Sequence, residues 1–193
     1  IKAQKALISI GRTFNTKGLG LENVGIATGP KGEILVDDYL RTNIPGIYAI
    51  GDVTNKIQLA HVASAQGLVA VDNIMGRERK MDYRVVPNCI FTMPEVGSVG
   101  LTTQEAEQQG RKTKAGKFPF AALGKARCIE ETDGVVKIIV DAETDQVLGV
   151  HILGPHATDL IAEAALAMEL GATAGDIART IHAHPTLAES MME

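Results

Sequence analysis

The stretch GVVKIIVDAETDQVLGVHIL, residues 134–153, decides the fold of the second half of this sequence. Two runs rich in β-branched residues, 134–140 and 147–153, flank a short polar segment, and this arrangement is typical of two strands joined as an antiparallel hairpin. Residues 88–92 and 96–99 are also predicted to be strands. The second half of the chain is therefore predicted to contain an antiparallel sheet.

Helices are predicted to follow these strands. Thr102 and Glu105 have the spacing of a capping box, in which each side chain accepts a hydrogen bond from the backbone N–H of the other residue. Thr173 and Asp176 have the same spacing, and Gly110 is a stop signal. The predicted helices span residues 103–109, 157–170 and 174–181. The second half is thus predicted to be an α+β domain, with helices packed on an antiparallel sheet.

The first half contains shorter signals. A helix is predicted over residues 58–74, where apolar residues recur at helical spacing and Gly76 suits the position just past the end. Ahead of this helix, residues 46–52 are predicted to form a buried strand. Two further short strands are predicted over residues 5–10 and 33–36. The charged and polar segment 77–84 is predicted to be the seam between two domains.

Composition limits the possible partners. The formal net charge of −4 gives no electrostatic reason to expect nucleic acid or an anionic membrane as a partner. No apolar run approaches the ~18 residues that a membrane span needs. Cys89 and Cys128 form no CxxC pair, and both are predicted to be reduced, buried and inert thiols of an intracellular protein. We therefore expect neither nucleic acid nor membrane binding.

A carboxylate directly follows the predicted strand of residues 46–52. Ligands of open α/β sheets bind at the carboxyl ends of strands, where Gly51 would let a ligand approach the backbone and Asp52 could accept hydrogen bonds from sugar-like hydroxyls. The helix beginning at Gln58 would add backbone N–H groups and the positive end of its dipole. From the residues alone, a simple turn beside a packing helix is an equally good interpretation.

The segment HAHPTLAE, residues 182–189, is the second candidate site. Pro185 fixes its own backbone and pushes His184 toward an extended conformation, with Glu189 one helical turn beyond. Thr186 and Glu189 have capping-box spacing, so this segment could simply begin a helix. His184 and Glu189 could equally form an acid/base pair. A metal site is not expected, because no cysteine or acidic cluster stands at ligand spacing.

Both segments resemble sequences of the FAD-dependent pyridine nucleotide–disulfide oxidoreductases, and HAHPTLAE is most similar to the dihydrolipoamide (dihydrolipoyl) dehydrogenase branch. The resemblance covers essentially the whole chain. It includes the segments KFPFAA, GVHILGP and AALAMELG at residues 117–122, 149–155 and 164–171. The resemblance implies that His184 is the catalytic acid/base, that Glu189 orients it, and that this segment reaches into the active site of the partner subunit.

The resemblance also implies non-covalent FAD binding by the first half. In this family the Asp after the buried strand, here Asp52, binds the ribityl chain beside Gly51, and the next helix start faces the isoalloxazine ring. Residues 9–12 match the place where the nicotinamide domain rejoins the flavin domain. The implied cofactor-binding residues are Gly11, Arg12, Gly51, Asp52, Gln58, Leu59, Ala60 and His61, the last mainly through its backbone.

The resemblance further implies three segments. Residues 1–12 would end the NAD-binding domain, 13–84 would be the carboxy-terminal part of the FAD-binding domain, and 85–193 would be the interface (dimerisation) domain. The sequence begins without Met and ends just as a helix begins. We therefore expect a carboxy-terminal fragment, with an incomplete α/β FAD-binding segment ahead of an α+β interface domain.

The implied function is the oxidation of dihydrolipoamide by NAD+, through FAD and a redox disulfide that this chain does not contain. The implied partners are a second copy, in a homodimer, and the lipoyl-bearing domains of 2-oxo acid dehydrogenase complexes, in the cytoplasm or in an organelle matrix. We expect the chain alone to lack dehydrogenase activity and to bind FAD weakly or not at all. The alternatives are a non-catalytic dimerisation module and a fragment of a glutathione-reductase-like flavoenzyme.

Overall fold

The computed structural model describes residues 2–193, which divide into two compact units between Asp82 and Tyr83. This division falls inside the polar segment 77–84, which the sequence predicted to be a seam. The assignment of residues 1–12, 13–84 and 85–193 to three named domains stays a prediction.

The second unit contains a five-stranded antiparallel sheet with the strand order β1-β2-β5-β4-β3. Its strands are β1 (Asn88–Ile90), β2 (Glu95–Gly100), β3 (Thr113–Pro119), β4 (Val135–Asp141) and β5 (Val147–Gly154). The predicted hairpin is β4 with β5, in which Ile138 lies opposite Val150. The prediction of an antiparallel sheet is therefore confirmed, although β3 was not predicted.

The helices of the second unit are α2 (Thr103–Gln108), α3 (Gly124–Cys128), α4 (Ala157–Glu169) and α5 (Ala174–Arg179). Both predicted capping boxes are present. The N–H of Glu105 donates to the hydroxyl of Thr102 at 3.2 Å, and the N–H of Thr102 donates to the carboxylate of Glu105 at 2.8 Å. Thr173 and Asp176 make the same reciprocal pair. The α+β class is confirmed.

Helix α3 corrects one prediction about the cysteines. Cys128, at the end of this helix, is exposed rather than buried. The reason is helical geometry, since α3 buries Ala126 in the core, and a residue two positions away points to another side of the helix. None of the helices formed by residues 2–193 has the length and apolar character needed to span a membrane.

The core of the second unit lies between α4 and the sheet. Ile161 of α4, Ile152 of β5 and Phe120, in the turn after β3, belong to one buried apolar cluster. Helix α4 can approach β2 closely because Gly97 has no side chain. A Cβ atom at Gly97 would overlap the carbonyl oxygen of Ala157, at the start of α4.

Glu95, at the start of β2, binds the first turn of α4. One oxygen of its carboxylate accepts hydrogen bonds from the backbone N–H of Thr158 at 3.0 Å and from the hydroxyl of Thr158 at 2.7 Å. These two hydrogen bonds hold the pKa of Glu95 below its usual range. The carboxylate is therefore ionised at neutral pH and ties the sheet to the helix.

We expect Glu95→Gln to lower the free energy of unfolding at pH 7, because an amide oxygen accepts hydrogen bonds more weakly than a carboxylate. Folding lowers the pKa of Glu95. The stabilisation by its carboxylate is therefore present above the unfolded-state pKa and is lost as the pH falls through the folded-state pKa. Urea unfolding at pH 7 and at about pH 3 measures the difference between variant and parent. The exposed Glu107→Gln variant is the control, and an equal loss at both pH values would contradict the prediction.

The first unit contains α1 (Ala60–Ile74), and the end of this helix is as predicted. Gly76 follows with a φ angle of 79°, a conformation that favours glycine. The N–H of Arg77 donates to the carbonyl of Asp72 at 2.8 Å, and the N–H of Gly76 donates to that of Asn73 at 3.1 Å. These are the two hydrogen bonds of a Schellman motif, which satisfy the last carbonyl groups of the helix.

Three predicted strands of the first unit are wrong. Residues 5–10 have no regular structure, and their apolar side chains are exposed. Residues 33–36 and 46–52 contribute only isolated bridges, Thr28 with Ile34 and Arg41 with Tyr48. The predicted burial of the last segment is met only in part, since Ala49 and Gly51 are buried whereas Ile50 is exposed. A β-branched run becomes a buried strand only with neighbouring strands beside it, and no described residues pair with these segments as a ladder.

Candidate functional site

The structure brings His184 and Glu189 together. Nδ1 of His184 lies 2.7 Å from Oε1 of Glu189. An ionised carboxylate only accepts hydrogen bonds, so Nδ1 carries the proton and, in the neutral ring, Nε2 keeps its lone pair. The side chain of His184 is 76% exposed and that of Glu189 only 16% exposed. The basic nitrogen of His184 is therefore accessible to an approaching molecule, while the carboxylate behind it is shielded.

The second oxygen of Glu189 is also bound. Oε2 accepts a hydrogen bond from the backbone N–H of Thr186 at 2.8 Å. This hydrogen bond, followed by that from His184, holds the pKa of Glu189 below its usual range. The carboxylate thus stays ionised near neutral pH. In this state it can orient the imidazole and stabilise its protonated form.

Thr186 does not cap a helix in the predicted way. Its hydroxyl donates to the carbonyl of Ala183 at 2.7 Å and does not accept from Glu189, so only half of the capping box forms. The element that follows is a 3-10 turn, Ala188–Met191, with Leu187 at its N-cap. Because Glu189 has one oxygen for the backbone and one for the imidazole, the capping and acid/base interpretations do not exclude each other.

Apolar anchors hold the histidine segment in place. Leu187 and Met191 are buried in the core cluster of the second unit, on either side of Glu189 in the sequence. The hydroxyl of Ser190, also buried, donates to the carbonyl of Leu187 at 2.7 Å. The exposed His184 is therefore attached to a segment of the chain that is held in place by the core. The peptide bond between His184 and Pro185 is cis.

His182 is a residue of this segment that the sequence analysis did not single out. Its side chain is only 6% exposed. Nε2 lies 2.7 Å from Oε1 of Glu163 on α4, and Nδ1 lies 2.9 Å from the carbonyl oxygen of Thr180. In extended backbone, residues two positions apart share a face, so the spacing of the two histidines gives no signal that His182 is shielded while His184 is exposed. Within residues 2–193, no group of three or more metal-ligating side chains could hold a metal ion.

The predicted cofactor-binding residues lie in the first unit. Gly51 is buried with a φ angle of 77°, and its N–H donates to Oε1 of Gln66 on α1 at 2.6 Å. Asp52 follows in the same 3-10 turn and is partly exposed. Its carboxylate lies 3.2 Å from Nη1 of Arg12, so the structure brings two predicted residues together. Gly11, beside Arg12, is exposed.

The predicted helix start at Gln58 is two residues early. Helix α1 begins at Ala60 with Leu59 as its N-cap, and no side chain caps it with a hydrogen bond. Gln58, Ala60 and His61 are exposed, and Leu59 is partly exposed. Backbone N–H groups and the positive end of the dipole lie at the start of a helix, and both favour a negatively charged group there. The residues of this unit therefore fit a ligand that carries both hydroxyl groups and developing negative charge.

Two family models match the chain. The model described as the dimerisation domain of pyridine nucleotide-disulphide oxidoreductases matches residues 86–193. A second model, described as pyridine nucleotide-disulphide oxidoreductase, matches residues 1–67. These two ranges correspond to the second unit and to most of the first.

Individual proteins match over nearly the whole chain. The dihydrolipoyl dehydrogenase of Bacillus subtilis is 50% identical over 192 residues, which is 99% of this chain and 40% of that protein. The crystal structure of LpdA from Mycobacterium tuberculosis aligns with a TM-score of 0.91 and 34% identity, over 96% of this chain and 41% of that one. The HOCl-induced flavoprotein disulfide reductase RclA from Escherichia coli aligns with a TM-score of 0.89 and 31% identity, over 95% and 42%. The chain thus spans about two fifths of the length of these proteins.

Proposed function

The chain belongs to the pyridine nucleotide-disulphide oxidoreductases, and on this premise we propose that it is part of an FAD-dependent dihydrolipoyl dehydrogenase, which oxidises dihydrolipoamide with NAD+. Relatives with that name are about 50% identical to it. The observation that carries the proposal is the pair formed by His184 and Glu189, in which a shielded, ionised carboxylate orients an exposed base.

The task of such a base is to produce a thiolate. A dihydrolipoamide thiol with an ordinary pKa is only about 3% ionised at pH 7, yet the thiolate is the species that attacks a disulfide. Nε2 of His184 would take the thiol proton as the sulfur attacks the redox disulfide, and Glu189 would stabilise the imidazolium that forms. The base would act on the active site of the partner subunit.

The complete reaction removes two electrons and two protons from the dithiol, which closes to a disulfide. The electron pair and one proton reach NAD+ as a hydride, and the other proton leaves to solvent. FAD, held by the first unit, would supply the two-electron carrier between the reduced redox dithiol of the enzyme and NAD+. His184 would receive a thiol proton and later release it to solvent, as the proton that does not travel with the hydride.

We assign FAD binding to the first unit. The carboxylate of Asp52 would accept hydrogen bonds from the ribityl hydroxyls, and the start of α1 would stabilise negative charge on the flavin ring through backbone N–H groups of Ala60 and His61. The ion pair of Asp52 with Arg12 is exposed and contributes little to stability, so a ligand can replace it. Gly11, Gly51 and Gln58 would border the same ligand. NAD would bind outside this chain.

We also propose that the chain acts as a homodimer, because the matching model of the second unit is a dimerisation domain. An apolar groove on α4 and α5 of this unit supports the proposal. Leu166 and Leu170 line the groove and are exposed, as is the nearby Ile181. Contiguous exposed apolar surface of this kind marks interaction sites. Lipoyl-bearing domains of 2-oxo acid dehydrogenase complexes are the proposed source of the substrate, and the cytoplasmic or organellar location stays a prediction.

We expect the double variant Leu166→Glu and Leu170→Glu to weaken self-association by roughly tenfold or more, because a carboxylate buried without a partner costs free energy. Sedimentation equilibrium over a range of concentrations measures the association constant. Leu19→Glu, which places a carboxylate at an exposed leucine of the first unit, is the control. An association constant equal to that of the parent would show that the groove is not the dimer surface.

A chimera tests the proposed function. In it, this chain replaces the aligned segment of the Bacillus subtilis relative, which supplies the remainder of the enzyme. We expect the chimera to reduce NAD+ with dihydrolipoamide as electron donor and the chain alone to show no such activity. Activity with glutathione but not with dihydrolipoamide would favour the glutathione-reductase-like alternative. Dehydrogenase activity of the chain alone would overturn the view that it is an incomplete enzyme.

A further inference from the structure

We propose that His182 and Glu163 form a second charge pair, in which an imidazole that is protonated at neutral pH attaches the histidine segment to α4 and so positions His184. The pair itself does not depend on the proposed function. Only its effect on turnover rests on that function. His182 is thus a positioning residue, since it acts through its neighbours and is shielded from any substrate.

The hydrogen-bond geometry requires an additional proton. Nδ1 of His182 faces the carbonyl oxygen of Thr180 at 2.9 Å, and Nε2 faces Oε1 of Glu163 at 2.7 Å. A carbonyl oxygen and an ionised carboxylate both only accept, whereas a neutral imidazole has a single N–H to donate. Both contacts are satisfied only if the ring carries two protons or if Glu163 is itself protonated. Either way, one proton more than in a neutral ring with an ionised carboxylate is held between the two residues.

The surrounding charges favour the protonated ring. Burial disfavours the charged form of His182, but the hydrogen bonds to Glu163 and Thr180 and the negative charges of Glu163 and Glu189 outweigh burial and raise its pKa. Asp176 of α5 lines the same groove, but its carboxylate is paired with Arg179 at 2.6 Å. The carboxylates of Glu163 on α4 and Glu189 in the final turn therefore favour a cation at His182.

The same cation acts on the catalytic candidate. The charge of His182 is one of the causes that lower the pKa of Glu189, the carboxylate that orients His184. The salt bridge also holds the backbone two residues before His184 against α4. After His184, Leu187 and Met191 hold the chain in the core. His184 is thus fixed from both directions, which is the arrangement that a precisely oriented proton acceptor needs.

Nitrogen NMR of the 193-residue chain tests the pair directly. We expect both ring nitrogens of His182 to be protonated at pH 7 and to titrate above the ordinary histidine pKa of about 6.5. Glu163→Gln should return the titration toward that ordinary value, whereas Glu169→Gln, an exposed change on the same helix, should leave it unaltered. A parent ring with one N–H at pH 7 that titrates near the ordinary value would overturn the proposal.

The free energy of unfolding of the same variants provides a second test. Because the folded-state pKa of His182 is raised, the contribution of the pair is fully present below the unfolded-state pKa of about 6.5 and is lost as the pH rises through the folded value. The destabilisation by Glu163→Gln should therefore be larger at pH 6 than at pH 9. A pH-independent loss would show a packing effect and contradict the charge pair.

The effect on turnover is measured in the chimera. We expect Glu163→Gln to lower kcat by roughly tenfold with little change in KM, because the base is misoriented while substrate binding is kept. An unchanged kcat would overturn the positioning role, although the NMR result would still establish the charge pair. An inactive parent chimera would instead count against the proposed function, so the two failures are distinguishable.

Discussion

Replacing His184 by glutamine should lower kcat for dihydrolipoamide oxidation by 10²-fold or more in the chimera, within the ~10²–10⁴ range of general acid–base catalysis. Glutamine can still donate a hydrogen bond to Glu189, so the segment should keep its conformation. An amide, however, cannot accept the proton of a thiol at neutral pH. The variant therefore removes the proposed chemistry and preserves the local contacts.

Two controls make this result specific. His156→Asn removes an exposed histidine that is paired with Asp159, at the start of α4, and should leave kcat unchanged. Asparagine suits this position because His156 has a φ angle of 54°. Sedimentation of His184→Gln should show the same association as the parent. Retention of the parent's activity would mean that the histidine segment is structural and that the chain is a non-catalytic dimerisation module.

The parts of the fold that the sequence predicted are those with strong local signals. The β4–β5 hairpin has two β-branched runs of matching length around a polar turn, and both capping boxes follow from a three-residue spacing. Strand β3 has no such signal, because its sequence TKAGKFP mixes lysines, glycine and alanine. Its pairing with β4 along the whole length supplies the structure that local preference does not.

In the first unit the opposite occurs, since strands with a local signal do not form because they lack a pairing partner. The runs 5–10 and 46–52 have strand-like composition, but composition does not supply a neighbouring strand to bind their backbone groups. The start of α1 was placed at Gln58 because no capping side chain marks it, and helix boundaries without a cap are poorly defined by sequence. A local pattern thus predicts an element reliably only where its partners are also close in sequence.

In the candidate site, too, contacts between residues close in sequence could be predicted and contacts between distant residues could not. His184 and Glu189 are five positions apart, so their contact could be predicted from the spacing and the resemblance. The contact of His182 with Glu163 joins residues 19 positions apart on different elements, and that of Arg12 with Asp52 joins residues 40 positions apart. Neither contact has a local signal. Both depend on how the chain folds within its unit.

Phe120→Ala should produce the largest loss of stability in the second unit. The ring is fully buried in the core cluster, and a Cβ atom at Gly154 would collide with it, so the ring packs directly on the end of β5. Removing a buried aromatic ring loses its transfer free energy and leaves a cavity, which together lower the free energy of unfolding by about 3–5 kcal/mol. Domains are stable by only about 5–15 kcal/mol in total, so the variant should be close to unfolding at 37 °C.

Urea unfolding of this variant beside Phe91→Ala separates burial from the loss of an aromatic residue. Phe91 is 80% exposed, and its removal should change the free energy of unfolding by no more than about 0.5 kcal/mol. The slope of the free energy of unfolding against urea concentration should be the same for both variants, because both report the unfolding of the second unit. If Phe120→Ala cost less than about 1 kcal/mol, the neighbouring side chains would have to collapse into the vacated space. Phe120 packs against Gly154 of β5, and the pairing of Gly154 with Glu95 of β2 keeps this backbone in the sheet, which is the physical reason for expecting the full loss.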